Sequence, residues 1–208
     1  MVIIKGKLIF PFFCGIIYPD FWGGCMLKNK DILDEKNKKL REISKEVVFP
    51  LTKEDKDTIK SIIEYLTNSQ IEELAEKYGL RPGMGMAAIQ LGIPKRYLVI
   101  VHEQEKKGTF KNYVIVNPKI VSNSEEKIYV EEGEGCLSVN REVEGIVPRY
   151  ARVTIEGFDE DGNPIRIRAR EELAIAFQHE IDHLNGILFI DYIDPKNPYK
   201  DARFYRAI

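Results

Sequence analysis

The chain has 208 residues, 44% of them apolar and 31% charged, a composition that fits a soluble globular protein with one sizeable core. A formal net charge of −2 argues against a dominant electrostatic attraction to nucleic acid or acidic lipid. The cysteines Cys14, Cys25 and Cys136 are too few and too scattered for a disulfide framework, so a reducing, cytoplasmic setting is expected.

In chain order, residues 1–26 stand apart. Lys5 and Lys7 precede apolar residues that Pro11 and Gly15 interrupt, and the apolar stretch is far short of the ~20 residues that span a membrane. No A-x-A-like cleavage site follows, and "WGGC" only loosely resembles the small-residue run before a lipid-modified cysteine. The expectation is an extension that packs on the domain or is dispensable, with Met26 as an alternative start. An export signal or anchor is the competing reading.

Beyond it the pattern is compact α+β. Thr52 and Asp55 have the spacing of a capping box. Ile59, Ile62, Ile63 and Leu66 then recur at helical spacing, predicting an amphipathic helix that continues in broken form to Gly79. "RYLVIV", "NYVIVNPKIV", "KIYV" and "ARVTIEGF" read as strands. The last is expected to pair with "PIRIRAR" through "DEDGN", because Val153 and Ile155 alternate as Ile165 and Ile167 do. "EELAIAFQHEIDHL" returns to helical period, with Leu173, Ala174, Phe177, Ile181 and Leu184 on its apolar face. The residues after Gly186, with Pro195 and Pro198, read as irregular. The expected architecture is therefore antiparallel strands packed around a C-terminal helix carrying HExxH, with an N-terminal helix.

Within "FQHEIDHLNG", His179 and His183 project from one helix face, one above the other. Two imidazoles so held can share a metal ion, and Glu180 stands where a general base could reach a water on that ion. A catalytic site of this type needs a third protein ligand and an open position. The metzincin pattern HExxHxxGxxH places Gly186 in register but Phe189 at its third ligand, and no histidine or glutamate follows His183. Asp191 and Asp194 are conceivable downstream ligands that look more like strand-end or turn residues. Upstream, the candidates are Cys136, His102, Cys14 and Cys25. Cys136 is flanked by charges and glycines, a poor setting for a core filler, whereas His102 reads as exposed and without a role.

Three stretches in order, "GMGMAAIQ" (83–90), "EGCLS" (134–138) and "QHEIDH" (178–183), resemble the motifs of the peptide deformylase family, in the form with longer loops common in Gram-positive bacteria. The resemblance spans about residues 27–195, leaving 1–26 as an extension of unknown role and 196–208 as a C-terminal tail. Met86 and Ile89 depart from the family pattern, where leucine and often proline stand; both remain apolar.

The resemblance implies Cys136, His179 and His183 as metal ligands, Glu180 as general base and acid, and Gln90 (side-chain amide) and Leu137 (backbone N–H) as oxyanion donors. It implies Gly83 and Gly85 as backbone that runs beside an extended peptide. Ile175 and Ala176, on the His179 face of the helix, are candidates for a methionine pocket. Glu134 and Arg149 resemble an ion pair supporting the metal site. The implied cofactor is one ferrous ion per chain, with zinc, nickel or cobalt as substitutes. The implied reaction is removal of the formyl group from formylmethionine at the start of nascent polypeptides. The partners are then those chains and, transiently, the ribosome, with no specific nucleic-acid sequence and no membrane. Lys196, Lys200, Arg203 and Arg206 could aid ribosome contact, though a solvated tail is the plainer reading. An HExxH-type metallopeptidase and a non-catalytic, metal-stabilised ribosome-binding protein are the alternatives.

Overall fold

The computed structural model describes residues 26–208. The expectations for Cys14, Cys25 and the rest of the leading segment fall on residues outside that span.

The first helix, α1 (Lys53–Ser69), begins as its sequence predicts. Thr52 Oγ1 accepts the Asp55 N–H at 3.2 Å, and Asp55 Oδ2 accepts the Thr52 N–H at 3.3 Å. After a break at Gln70–Ile71, α2 (Glu72–Tyr78) runs to Gly79, whose left-handed φ of 63° suits the residue that lacks a Cβ. Strands β1 (Gly85–Ala87), β2 (Tyr97–Glu103), β3 (Phe110–Asn123), β4 (Lys127–Tyr129), β5 (Arg149–Tyr150), β6 (Arg152–Phe158) and β7 (Pro164–Arg170) follow, then α3 (Glu171–Leu184) and β8 (Arg206–Ala207).

Five strands form one antiparallel sheet in the order β1-β2-β3-β6-β7. The β6–β7 hairpin keeps the expected register, with Ile155 opposite Ile167. The sheet is covered on both faces, which explains why residues 97–101 of β2 are an unbroken apolar run. Tyr97, Val99 and Val101 pack with Ile59, Ile62 and Leu66 of α1, while Leu98 and Ile100 pack with Ala174, Phe177, Ile181 and Leu184 of α3. The helix with the two histidines is thus clamped to the sheet through its apolar stripe, and its other face is left for the site.

The tail is less irregular than expected. β8 lies parallel to β4 in a small second sheet of order β5-β4-β8. A two-residue strand shows no alternation, so periodicity could not find it. Among the described residues no helix is long and apolar enough to cross a membrane.

Candidate functional site

Four-residue spacing on α3 brings the His179 and His183 rings to 5.0 Å between centroids. Both face the loop between β4 and β5, where Gly133 turns the backbone at φ 89°. Cys136 Sγ lies 3.3 Å from His183 Nε2, and one ligand atom from each of Cys136, His179 and His183 falls within 4.8 Å of the others.

The ring of His179 is oriented from behind. Its Nδ1 donates to Glu134 Oε2 at 2.9 Å, leaving the other ring nitrogen for the Cys136 side. Arg149 grips the same carboxylate through Nε at 2.7 Å and Nη2 at 3.0 Å, and its third nitrogen reaches Asp182. Burial favours the neutral form of Glu134, but the hydrogen bonds from His179 and Arg149 prevail and hold its pKa at about 2. Tyr192 covers the guanidinium with its ring centroid 4.8 Å away. Burial keeps the His183 imidazole neutral. Against the same effect of burial, Cys136 and Glu134 draw His179 toward the protonated form. One sulfur and two imidazole nitrogens around a point, beside a buried anion, fit a divalent transition-metal ion with a coordination position to spare.

Glu180 points toward β1, where a Cβ at position 85 would sit 2.5 Å from its Oε1. Its carboxyl is buried, and burial outweighs the pull of His179, raising its pKa to about 7. Its Oε2 has no hydrogen-bond partner. On the short turn after β1, Gln90 Oε1 accepts the Ala87 N–H at 2.8 Å, which fixes the amide so that Nε2 meets Ser138 Oγ at 3.2 Å and Cys136 Sγ at 3.9 Å. Leu137 packs its side chain against Gly83, and its carbonyl accepts from Arg81. The three motif segments therefore meet at one place.

Other candidates lie outside the group of three donor atoms. His102, expected to be exposed, is half-buried at the end of β2, with Nδ1 3.0 Å from Gln104 Nε2, and stands outside the group. Asp191 is occupied by Arg41, and Asp194 accepts the Lys196 N–H at 2.9 Å. Ile175 packs with Ile128 and Ala151, and Ala176 packs against the sheet core. Phe189 stacks on His179 at 6.1 Å and 23°. Asp182, Ser138, Arg81 and Tyr192 were not singled out from sequence. Asp182 and Ser138 sit inside the motifs, and that adjacency was the one available signal.

A helix-borne pair of imidazoles, a cysteine sulfur and a buried carboxylate are the groups that a metal-dependent hydrolase would need. The polypeptide deformylase model matches residues 29–199, and the chain belongs to that family. It is 48% identical over 174 residues to peptide deformylase 2 of Bacillus anthracis, covering 84% of this chain and 94% of that one. It is 51% identical over 173 residues to a Listeria monocytogenes peptide deformylase, covering 83% and 94%. Among solved structures, a probable peptide deformylase from a Synechococcus phage aligns at TM-score 0.64 and 35% identity over 78% of this chain and 98% of its own. The Legionella pneumophila peptide deformylase aligns at TM-score 0.64 and 32% identity over 83% and 90%.

Proposed function

We propose that Cys136, His179 and His183 hold one divalent ion in this peptide deformylase, ferrous iron in the cell, and that Glu180 moves the proton of the reaction. The reaction itself follows from the family: the chain removes the formyl group from the N-terminal formylmethionine of newly made polypeptides and releases formate. The observation that carries the residue assignment is the convergence of three donor atoms within 4.8 Å beside a buried, unpartnered carboxylate oxygen of Glu180.

When bound, the ion supplies Lewis acidity, which lowers the pKa of water from 15.7 to about 7. Zinc, nickel or cobalt suit the same donor set. Glu180 accepts a proton as the water oxygen bonds to the formyl carbon, then returns it to the amine nitrogen as the C–N bond breaks. A carboxyl group with a pKa of about 7 suits both halves of that exchange. The carbonyl oxygen gains negative charge in between, and the Gln90 amide and the Leu137 N–H donate to it. Each such donor is worth about 2.7–4 kcal/mol in other hydrolases. A formyl carbon bears only hydrogen, so it can approach a walled site where a larger acyl group would clash.

The outer edge of the sheet at β1 is where the peptide lies, running beside Gly83 and Gly85. Ile175 and Ala176 contribute to the methionine pocket. Substrate then arrives as nascent chains, so contact with the ribosome in the cytoplasm is transient and secondary to the peptide. Protein prepared without oxygen should release formate from formyl-Met-Ala peptides and far less from acetyl analogues. Cys136→Ala should lose stoichiometric metal while His102→Ala keeps it. Internal cleavage of an unformylated protein without formate release would point to the metallopeptidase alternative. A Cys136→Ala protein with full metal content would overturn the ligand set.

A further inference from the structure

Residues 187–208 follow the helix bearing His179 and His183, and the reaction assigns them nothing. They return to the loop that carries Glu134 and Cys136 and touch it at both ends. Where the loop leaves β4, the Ile208 N–H donates to Tyr129 O at 2.9 Å and the Glu131 N–H donates to Ile208 O at 3.1 Å. Where it approaches β5, the Ile146 N–H donates to Pro198 O at 3.0 Å. There Ile193 and Pro198 close on Gly145 so tightly that a Cβ at position 145 would sit 2.5 Å from Ile193 Cγ2. Between these ends, Phe189, Ile190 and Ile193 pack with Val139, Val147 and Cys136 itself.

The same segment also reaches α3. Ile208 packs in the cluster of Ile128, Ala151 and Ile175, one helical turn before His179. Arg206 pairs with Glu126 at 2.9 Å and with Glu171 at 2.8 Å, joining the approach to β4 to the first residue of α3. The loop between β4 and β5 contains no helix or strand of its own. Ordering its residues costs backbone entropy, so its conformation must be imposed by what it packs against.

We infer that residues 193–208 are a clasp that positions Cys136 and Glu134 against α3, with Ile193, Pro198 and Ile208 as its fastening residues. The inference rests on the assignment of Cys136 as a ligand. The clasp acts through the loop and touches neither substrate nor metal. Its removal should therefore alter how firmly the site holds an ion before it alters the sheet.

Two variants test it from opposite ends: deletion of residues 206–208, and Ile193→Ala. Zinc-loaded protein is mixed with excess chelator and zinc release is timed. Amide hydrogen exchange of metal-free protein is followed separately for residues 130–148 and 97–116. Release should quicken about tenfold, the lower end of what loss of an outer-shell partner does to metal affinity. Exchange should quicken in 130–148 and stay unchanged in 97–116. Wild-type release and wild-type loop exchange in both variants would overturn the clasp. So would an equal rise in both regions, which would make the tail a general support. If the unaltered protein held no zinc, the ligand assignment would fail, and the exchange arm would still decide the clasp.

Discussion

Replacing Gly85 by alanine tests whether Glu180 is held where the reaction needs it. The new Cβ would lie 2.5 Å from Glu180 Oε1, 2.8 Å from Cγ and 2.9 Å from Cδ. Ordinary contact begins near 3.4 Å, so the carboxylate must retreat by about 0.9 Å. The displaced atoms run back to Cγ of a buried side chain, so the cost in stability should fall within the roughly 1–3 kcal/mol typical of overpacking. Each kcal/mol corresponds to a fall in Tm of about 2–4 °C for a domain of this size. The cost in rate is another matter: a misplacement of about 1 Å can lower turnover about 100-fold. Gly135→Ala is the control, because it adjoins Cys136 in sequence yet its Cβ would meet nothing within 4 Å. Formate release from formyl-Met-Ala, with metal analysis on the same samples, should give about a 100-fold loss for Gly85→Ala at full metal content and near wild-type turnover for Gly135→Ala. Wild-type turnover in Gly85→Ala, or equal losses in the two variants, would refute the reasoning.

Glu180→Gln keeps the side chain's shape and removes its base, so turnover should fall by about 10²–10⁴-fold while metal content and folding stay close to wild type; undiminished turnover with metal retained would sink the mechanism. Asp55→Asn breaks the buried end of an ion pair whose oxygens lie 2.6 and 2.7 Å from Lys95 Nζ. Lys95 is half-exposed and regains water, so the loss should be about 1–2 kcal/mol, read as a lower Tm at neutral pH. Burial favours the neutral form of Asp55, but Lys95 and Thr52 hold its pKa below the usual 3.8. The contribution is therefore complete above that pH and fades as the pH falls through the lowered value, so the two melting curves should converge in acid. A Tm gap that stayed constant into that range would assign the stability to something other than the charge.

Local spacing carried the features that the sequence made legible. Thr52 and Asp55 lie three residues apart and close their capping box within one turn. His179 and His183 need only the helical repeat to share a face. Glu134, Cys136 and Gln90 were placed together by resemblance, since no periodicity links residue 90 to residue 136. What escaped was decided by distant chain. Arg149 divides its guanidinium between Glu134 and Asp182, 15 residues one way and 33 the other, and nothing in "VPRY" names the second partner. The pairing of Arg206 with Glu126 and Glu171 likewise depends on a parallel strand too short to alternate. The exposure expected of His102 was wrong because the charged residues after it suggest solvent, while Gln104 folds back to its ring nitrogen and carbonyl.

Cys136 and His183 are 47 residues apart, and β5, β6, β7 and most of α3 lie between them. Synthesis runs from the N-terminus at about 5–20 residues per second, so the sulfur leaves the ribosome seconds ahead of the imidazoles it will face. During that interval Cys136 is a bare thiol, open to oxidation or to capture by a stray ion. With the proposed ligand set, capture of the ion by all three donors waits on one late event, the docking of α3 on a finished hairpin. On the same assignment, a copy halted before that helix emerges is inert. Activity in each new molecule should therefore switch on in a single step rather than grow with chain length.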